Sequence, residues 1–134
     1  MSTNHLTVEV VSPEQLVYSG EATMVITRTI GGGEVAFLPG HAPFLGALQE
    51  NHTRVFLVGG EVEDIAVHGG FVEVSNNTVS ILSDAAELGS MIDVERARSA
   101  KERAEEHLRH EHDAEVVGAL CRAHARLHAA GAGI

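Results

Sequence analysis

The sequence has no tryptophan, and its one tyrosine and four phenylalanines bring aromatic residues to only 4% of 134. Hydrophobic residues still reach 44%, so a core has to be built from Val, Leu, Ile and Ala. The single cysteine, Cys121, excludes an internal disulfide and suits a reducing compartment. A chain of this length is enough for one compact domain, or for a small domain with an appendage.

Long apolar segments are also absent. The first residues, MSTNHLTVEVVSPEQ, show no basic region followed by an apolar run, so no signal peptide is expected. No stretch approaches the roughly 20 apolar residues that span a bilayer. We therefore expect a soluble, cytoplasmic protein without direct membrane insertion.

Basic residues are scarce: nine Lys and Arg against nineteen Asp and Glu give a formal net charge of −10. This charge argues against nucleic acid or anionic lipid as a partner. Residues 1–90 contain two basic and eleven acidic side chains, whereas residues 91–134 contain seven and eight. Eleven of the fourteen glycines and all three prolines also precede residue 91. The composition predicts two different structures, one over residues 1–87 and the other over residues 88–134.

The first region is typical of short strands between turns. LTVEVV alternates Leu6, Val8 and Val10 on one face, as a half-buried strand would. The pairs Gly59-Gly60 and Asn76-Asn77 each separate two such runs and indicate two-residue hairpins. About eight short strands without an intervening helix favour a sandwich or barrel over an α/β fold.

From Ser90 onward the apolar residues recur with a helical period, which predicts two helices separated by the polar break RHEHD. The predicted fold class is therefore α+β, an N-terminal antiparallel β-sandwich followed by a C-terminal antiparallel two-helix hairpin. The hairpin has few large apolar side chains, each worth about 1.5–3 kcal/mol when buried. Their burial barely offsets the backbone entropy lost on folding, about 1–2 kcal/mol per ordered residue. We expect a hairpin that changes between docked and undocked forms. The first helix is predicted from a stripe of mostly small residues and the second from an apolar stripe: Val94, Ala97, Lys101, Ala104 and Leu108, and then Val116, Val117, Leu120, Ala123 and Leu127.

Three features that suggest chemistry have simpler interpretations. His41, in FLPGHAPFL, has no Ser or Cys nucleophile in an elbow-like context, which favours a structural or contact role. The glycine-rich IGGGEVAF lacks the GK[ST] ending of a phosphate loop and is interpreted as a turn. His107, His110 and His112 lack the i, i+4 spacing that presents two metal ligands on one helical face, which favours a solvated, pH-sensitive loop. No catalytic residue and no metal site are predicted.

The arginines of the helical region allow two interpretations. Arg122 and Arg126 are four residues apart on the second helix, and Arg96 and Arg103 lie on the first. If the helices fold back on each other, these guanidinium groups converge, and arginine forks suit phosphate oxygens. They could equally form weak surface ion pairs with neighbouring glutamates. Spacing alone does not decide between an anion site and a solvated surface.

Three segments resemble a known protein family: GEVAFLPGHAPFLGAL, HGGFVEVSNNTVSILSDAAE and IDVERA. In this order and spacing they resemble the epsilon subunit of the bacterial F-type ATP synthase, from about Leu6 to at least Arg109. The resemblance implies a non-catalytic rotor subunit of the central stalk, which couples c-ring rotation to ATP synthesis. It also implies partners (the gamma subunit, the c-ring and the alpha and beta subunits) and a peripheral location on the cytoplasmic face of the plasma membrane. The hairpin would inhibit ATP hydrolysis when it extends away from the sandwich.

IDVERA is also similar to the motif with which some family members bind ATP. The resemblance implies that no cofactor is required and that ATP is a possible regulatory ligand. Met91 stands where family members often have an acidic residue before the motif isoleucine. The alternative is a purely mechanical stalk subunit without nucleotide binding, in which the motif only caps a helix. The nucleotide-binding residues that the resemblance implies are Glu87, Ile92, Asp93, Arg96, Ala97, Arg103, Arg122 and Arg126.

Overall fold

The computed structural model describes residues 5–110 and 113–132, in which strands come first and helices last. The α+β fold class is confirmed, and the predicted boundary between residues 87 and 88 falls within the last strand. A 3-10 turn at Gly89–Met91 leads to helices α1 (Val94–Leu108) and α2 (Ala114–Ala129). The strands are β1 (Leu6–Val11), β2 (Leu16–Thr29), β3 (Gly33–Phe37), β4 (Phe44–Ala47), β5 (Asn51–Leu57), β6 (Val62–Val67), β7 (Phe71–Ser75), β8 (Thr78–Leu82) and β9 (Ala86–Leu88).

Strand β2 connects the two halves of the sandwich. Its 14 residues pair with β1 through the first half, and with β3 and β5 through the second. The strands follow the order β4-β7-β8-β1-β2-β5-β6-β9, with β3 beside β2. The predicted antiparallel arrangement is found at every ladder except that of β1 with β8, which is parallel.

The sandwich core is built from aliphatic side chains, as the scarcity of aromatics requires. Leu6, Val8 and Val10 of β1 are fully buried, which confirms the two-residue period predicted there. Phe37 is the largest fully buried side chain. The remaining core consists mainly of valine, leucine and isoleucine, each contributing about 1.5–3 kcal/mol when fully buried.

Of the two predicted two-residue hairpins, the one at Asn76-Asn77 is present. Asn76 and Asn77 have φ of 49° and 59°, and they connect β7 to β8. Both angles lie in the left-handed region, which asparagine tolerates and which a two-residue turn between twisted strands requires. Between β5 and β6 the predicted two-residue turn is wrong: the chain turns over residues 58–61, where Gly60 has a positive φ of 97°.

Each helix begins at an aspartate. The Asp93 carboxylate accepts the backbone N–H of Arg96 at 3.1 Å, and Asp113 accepts that of Glu115 at 2.9 Å. Such caps pair N–H groups that the first helical turn leaves without partners. Among the described residues, neither helix is long and apolar enough to cross a bilayer.

Helix α2 packs against α1 on one side and against β5 and β6 on another. This double contact changes the buried face from the predicted one. Ala125 and Ala129, outside the predicted stripe, are buried, whereas Val117 within it is 45% exposed. The small side chains let the helix backbone approach the sheet closely.

Gly89 marks the closest approach between the hairpin and the sandwich. A Cβ at this position would overlap the carbonyl oxygen of Ala129 and lie 2.9 Å from that of Asp64. A side chain at residue 89 is therefore incompatible with the docked position of the end of α2, because backbone atoms cannot turn aside as a side chain can.

We expect Gly89→Ala to separate the end of α2 from the sheet while the sandwich stays folded. Hydrogen exchange should show amide protection in α2 reduced by about tenfold or more, with β1 and β8 unchanged. Gly59→Ala is the matched control, because nothing lies within 4 Å of a Cβ there. Equal protection of α2 in the two variants would contradict this account of docking.

Candidate functional site

A cleft of about 320 Å³ opens between β9, the start of α1 and α2. Seven of the eight nucleotide-binding residues implied by the sequence lie in its wall, although they come from three separate elements. Arg122 is the exception. The lining residues are Glu87, Met91, Ile92, Asp93, Arg96, Ala97, Ala100, Arg103 and Arg126.

The cap at Asp93 sets the face that α1 turns toward the cleft. Because the helix begins there, Arg96, Ala100 and Arg103 follow one another at intervals of four and three and share a face. The intervening side chain is the methyl group of Ala97, which is 3% exposed. Small residues between two arginines leave room for a bound group beside the helix.

The cleft has a slight excess of positive charge, with three arginines against Glu87 and Asp93. In the part of the chain that the structure describes, the ion pairs of arginine involve Arg54, Arg98, Arg109, Arg122 and Arg126. Glu95 and Glu106, two glutamates expected as surface partners, pair with Arg98 and Arg109 instead. The guanidinium groups of Arg96 and Arg103 thus keep donors available for an anion.

Glu87 is the meeting point of the sandwich and the second helix. Its Oε2 accepts a hydrogen bond from Nε of Arg126 at 2.7 Å and another from Nε2 of His68 at 2.8 Å. The other ring nitrogen of His68, Nδ1, lies 2.7 Å from Oε2 of Glu50. The His68 side chain is only 5% exposed, so its hydrogen bonds to the two glutamates are formed in the interior, behind the cleft.

Neither His68 nor Glu50 is predicted from the sequence. They lie 19 and 37 residues before Glu87 on other segments, so no periodicity connects the three. Only the pairing of β6 with β9, which aligns Ala66 with Glu87, brings them together. The position of His68 directly after a buried strand could have indicated a buried histidine, but it does not indicate which residues the histidine contacts.

The environment keeps Glu87 ionised. Burial raises the pKa of its carboxyl, but the hydrogen bonds from His68 and Arg126 and their positive charges outweigh that effect. The pKa of Glu87 is therefore lower than that of an ordinary glutamate. The carboxylate is the stable form wherever the hairpin is docked at neutral pH.

Arg122 lies outside the cleft. Its Nη2 contacts Oε1 of Glu115 at 3.5 Å, one to two turns earlier on α2, and Glu115 is 84% exposed. An exposed ion pair of this kind contributes little to stability. The structure thus brings one member of the implied arginine pair, Arg126, to the cleft and leaves the other along α2.

The remaining candidates have ordinary surroundings. The His41 ring packs edge-on against Phe37 at 5.1 Å, and its Nδ1 lies 2.7 Å from the carbonyl oxygen of Ala42. In IGGGEVAF, residues 30–32 form the turn between β2 and β3, and the remaining GEVAF is strand β3 itself. His107 and His110 lie at the end of α1, and His112 is outside the described residues. Among the residues that are described, no three potential ligands are grouped as a metal site.

The described residues define a class of protein, a β-sandwich with a docked helical hairpin and a cleft between the two. Two family models match it in succession. Residues 5–89 match "ATP synthase, Delta/Epsilon chain, beta-sandwich domain", and residues 90–131 match the "long alpha-helix domain" of the same chain. The chain belongs to the ATP synthase delta/epsilon family, whose member here is a subunit of the enzyme and not itself the catalyst.

Individual relatives agree with the family models. The ATP synthase epsilon chain of Desulfitobacterium hafniense is 46% identical over 127 residues, covering 92% of this chain and 95% of the relative. That of Alkalihalophilus pseudofirmus is 50% identical over 101 residues, with 75% and 74% covered. A chain in the structure of Euglena gracilis mitochondrial ATP synthase has the same fold, with a TM-score of 0.81 at 22% identity, covering 97% of this chain and 83% of that one.

The ionisation of Glu87 leads to a pH-dependence. Because its pKa is lowered in the folded state, its contribution is complete above the ordinary glutamate value of about 4.3 and is lost as the pH falls through the folded value. The free energy of unfolding by urea should therefore fall less steeply with acidification in Glu87→Gln. Glu61→Gln, at an exposed position between β5 and β6, is the matched control. Identical slopes in Glu87→Gln and the unmodified chain would contradict the assignment.

Proposed function

We propose that this chain acts in the central stalk as a rotor subunit, with a docked hairpin that ATP stabilises. Its sandwich would bind the gamma subunit and the c-ring of a proton-translocating F-type ATP synthase. The hairpin would inhibit ATP hydrolysis when it extends toward the alpha and beta subunits. The complex would hold the chain peripherally on the cytoplasmic face of the plasma membrane.

One observation carries the nucleotide part of this proposal. The cleft takes Arg96 and Arg103 from α1, Arg126 from α2 and Glu87 from the sandwich, so it exists only while the hairpin is docked. A ligand that binds only the docked form stabilises that form by RT ln(1 + [L]/Kd), about 2.7 kcal/mol at a hundredfold excess over Kd. Such an amount is enough to change the population of a marginally stable hairpin.

The lining residues suggest how a nucleotide would lie. Asp93 and Arg96, at the start of α1, would shape the adenosine end of the cleft. Arg103 and Arg126 would meet the phosphates, since Arg126 uses only its Nε on Glu87 and keeps both Nη groups for a ligand. Arg122 would join them by leaving its weak contact with Glu115.

The surface of the sandwich supports docking of another subunit. A hollow of about 800 Å³ at one end is bordered by Ile30, Phe71 and Leu82. These three side chains are 65%, 55% and 54% exposed. Grouped apolar side chains of this size on a surface are typical of a protein contact.

A purely mechanical stalk subunit is the second candidate. In the structure Arg126 already pairs with Glu87, and Arg122 with Glu115, so two of the four arginines have partners without any nucleotide. In this alternative the ion pairs alone hold the hairpin, and ATP has no effect on it.

Calorimetric titration of the isolated chain with ATP distinguishes the two functions. We expect binding at or below millimolar ATP, and a loss of affinity of about tenfold or more for Arg103→Ala, because charge-assisted bonds to phosphate are lost. Arg98→Ala is the matched control, since Arg98 pairs with Glu95 and does not line the cleft. Absence of heat at millimolar ATP, or equal affinities for the two variants, would contradict the nucleotide site.

Removal of residues 91–134 tests the regulatory part separately. In the assembled ATP synthase we expect ATP hydrolysis to increase, because the inhibitory hairpin is gone, while the sandwich still assembles with the stalk. The measurement is the hydrolysis rate of complexes with equal subunit content. An unchanged rate would exclude inhibition by the hairpin, whether or not ATP binds to it.

A further inference from the structure

His68 makes a contact that the proposed nucleotide site does not require. It does not line the cleft, yet its two ring nitrogens lie 2.7 Å from Glu50 and 2.8 Å from Glu87. Glu87 in turn accepts a hydrogen bond from Nε of Arg126 at 2.7 Å. A continuous series of four charged or polar groups therefore runs from the β4–β5 segment to helix α2.

The chemistry of the ring shows what this series does. An ionised carboxylate only accepts hydrogen bonds, so Nε2 of His68 has to donate to Glu87. Because Nδ1 is held by Glu50 on the opposite side, the ring cannot rotate away. The Glu87 side chain is 37% exposed and would otherwise be free to turn toward water.

The placement of Glu87 decides whether α2 has a polar contact with the sandwich. One oxygen, Oε2, accepts from both His68 and Arg126, so a rotation that loses the first bond also loses the second. Among the described residues, Arg126 is the one side chain of α2 that forms an ion pair with the sandwich. Elsewhere α2 buries Ala125, Leu127 and Ala129, and His128 packs against His52 of β5 with the ring centroids 5.5 Å apart.

We propose that His68, supported by Glu50, is a positioning residue that holds Glu87 where it can bind Arg126 and so keeps the hairpin docked on the sandwich. The proposal concerns the chain without nucleotide. Its failure would therefore leave the nucleotide site untouched, and absence of ATP binding would not affect it.

Two substitutions at one position separate positioning from simple filling of space. The side-chain amide of Gln reaches as far as Nε2 of histidine and can still donate to Glu87, whereas that of Asn reaches only as far as Nδ1, which faces Glu50. We expect His68→Asn to reduce the hydrogen-exchange protection of α2 by about tenfold, the effect of losing a bond to a charged group. His68→Gln should retain most of it, and β1 and β8 should keep their protection in both variants.

A double-mutant cycle shows whether His68 acts through Arg126. If it does, adding His68→Asn to Arg126→Ala should reduce α2 protection no further than Arg126→Ala alone. Additive losses, equal losses in the Asn and Gln variants, or a parallel loss in β1 and β8 would overturn the proposal.

A measurement on the unmodified chain keeps the proposal testable even if the variants fold poorly. Nuclear magnetic resonance should detect the Nε2–H of His68 and the Nε–H of Arg126 in slow exchange with water. Fast exchange of both protons, or an α2 without protection in the unmodified chain, would contradict the docked contact on which the proposal depends.

Discussion

One carboxylate oxygen, Oε2 of Glu87, joins the two parts of the molecule. It accepts from His68 on the side of the sandwich and from Arg126 on the side of α2. The cleft, the position of Arg126 and the docking of the hairpin all depend on where this oxygen lies. The same two hydrogen bonds lower the pKa of Glu87, because they stabilise the carboxylate more than burial destabilises it.

The apolar contacts of the hairpin make such a polar contact important. The buried residues of α2 are three alanines and Leu127, and Gly89 lets the end of the helix approach closely. Alanines bury little apolar area for each residue. Under the proposed function, such an interface would let one ion pair or one bound ligand change the balance between docked and undocked forms, and a larger aliphatic interface would remove this property.

Much of the fold followed from local patterns. The alternation in LTVEVV, the Asn76-Asn77 turn and the change to a helical period after Ser90 each depend on neighbours in sequence, and the structure confirms them. The buried face of α2 was predicted less well: Val117 is exposed and Ala125 is buried, because the helix packs on the sheet as well as on α1. The parallel pairing of β1 with β8 likewise joins segments about 70 residues apart, which no local pattern specifies.

The sequence by itself determined the two-part α+β organisation and the motif residues that α1 presents on one face. These features depend on backbone propensity and on residues within a few positions of one another. Only the tertiary structure decided that Arg126 reaches Glu87 while Arg122 turns to Glu115, and that His68 and Glu50 stand behind the cleft. Those contacts join strands and helices distant in sequence, and their geometry is set by strand register and helix docking rather than by any spacing along the chain.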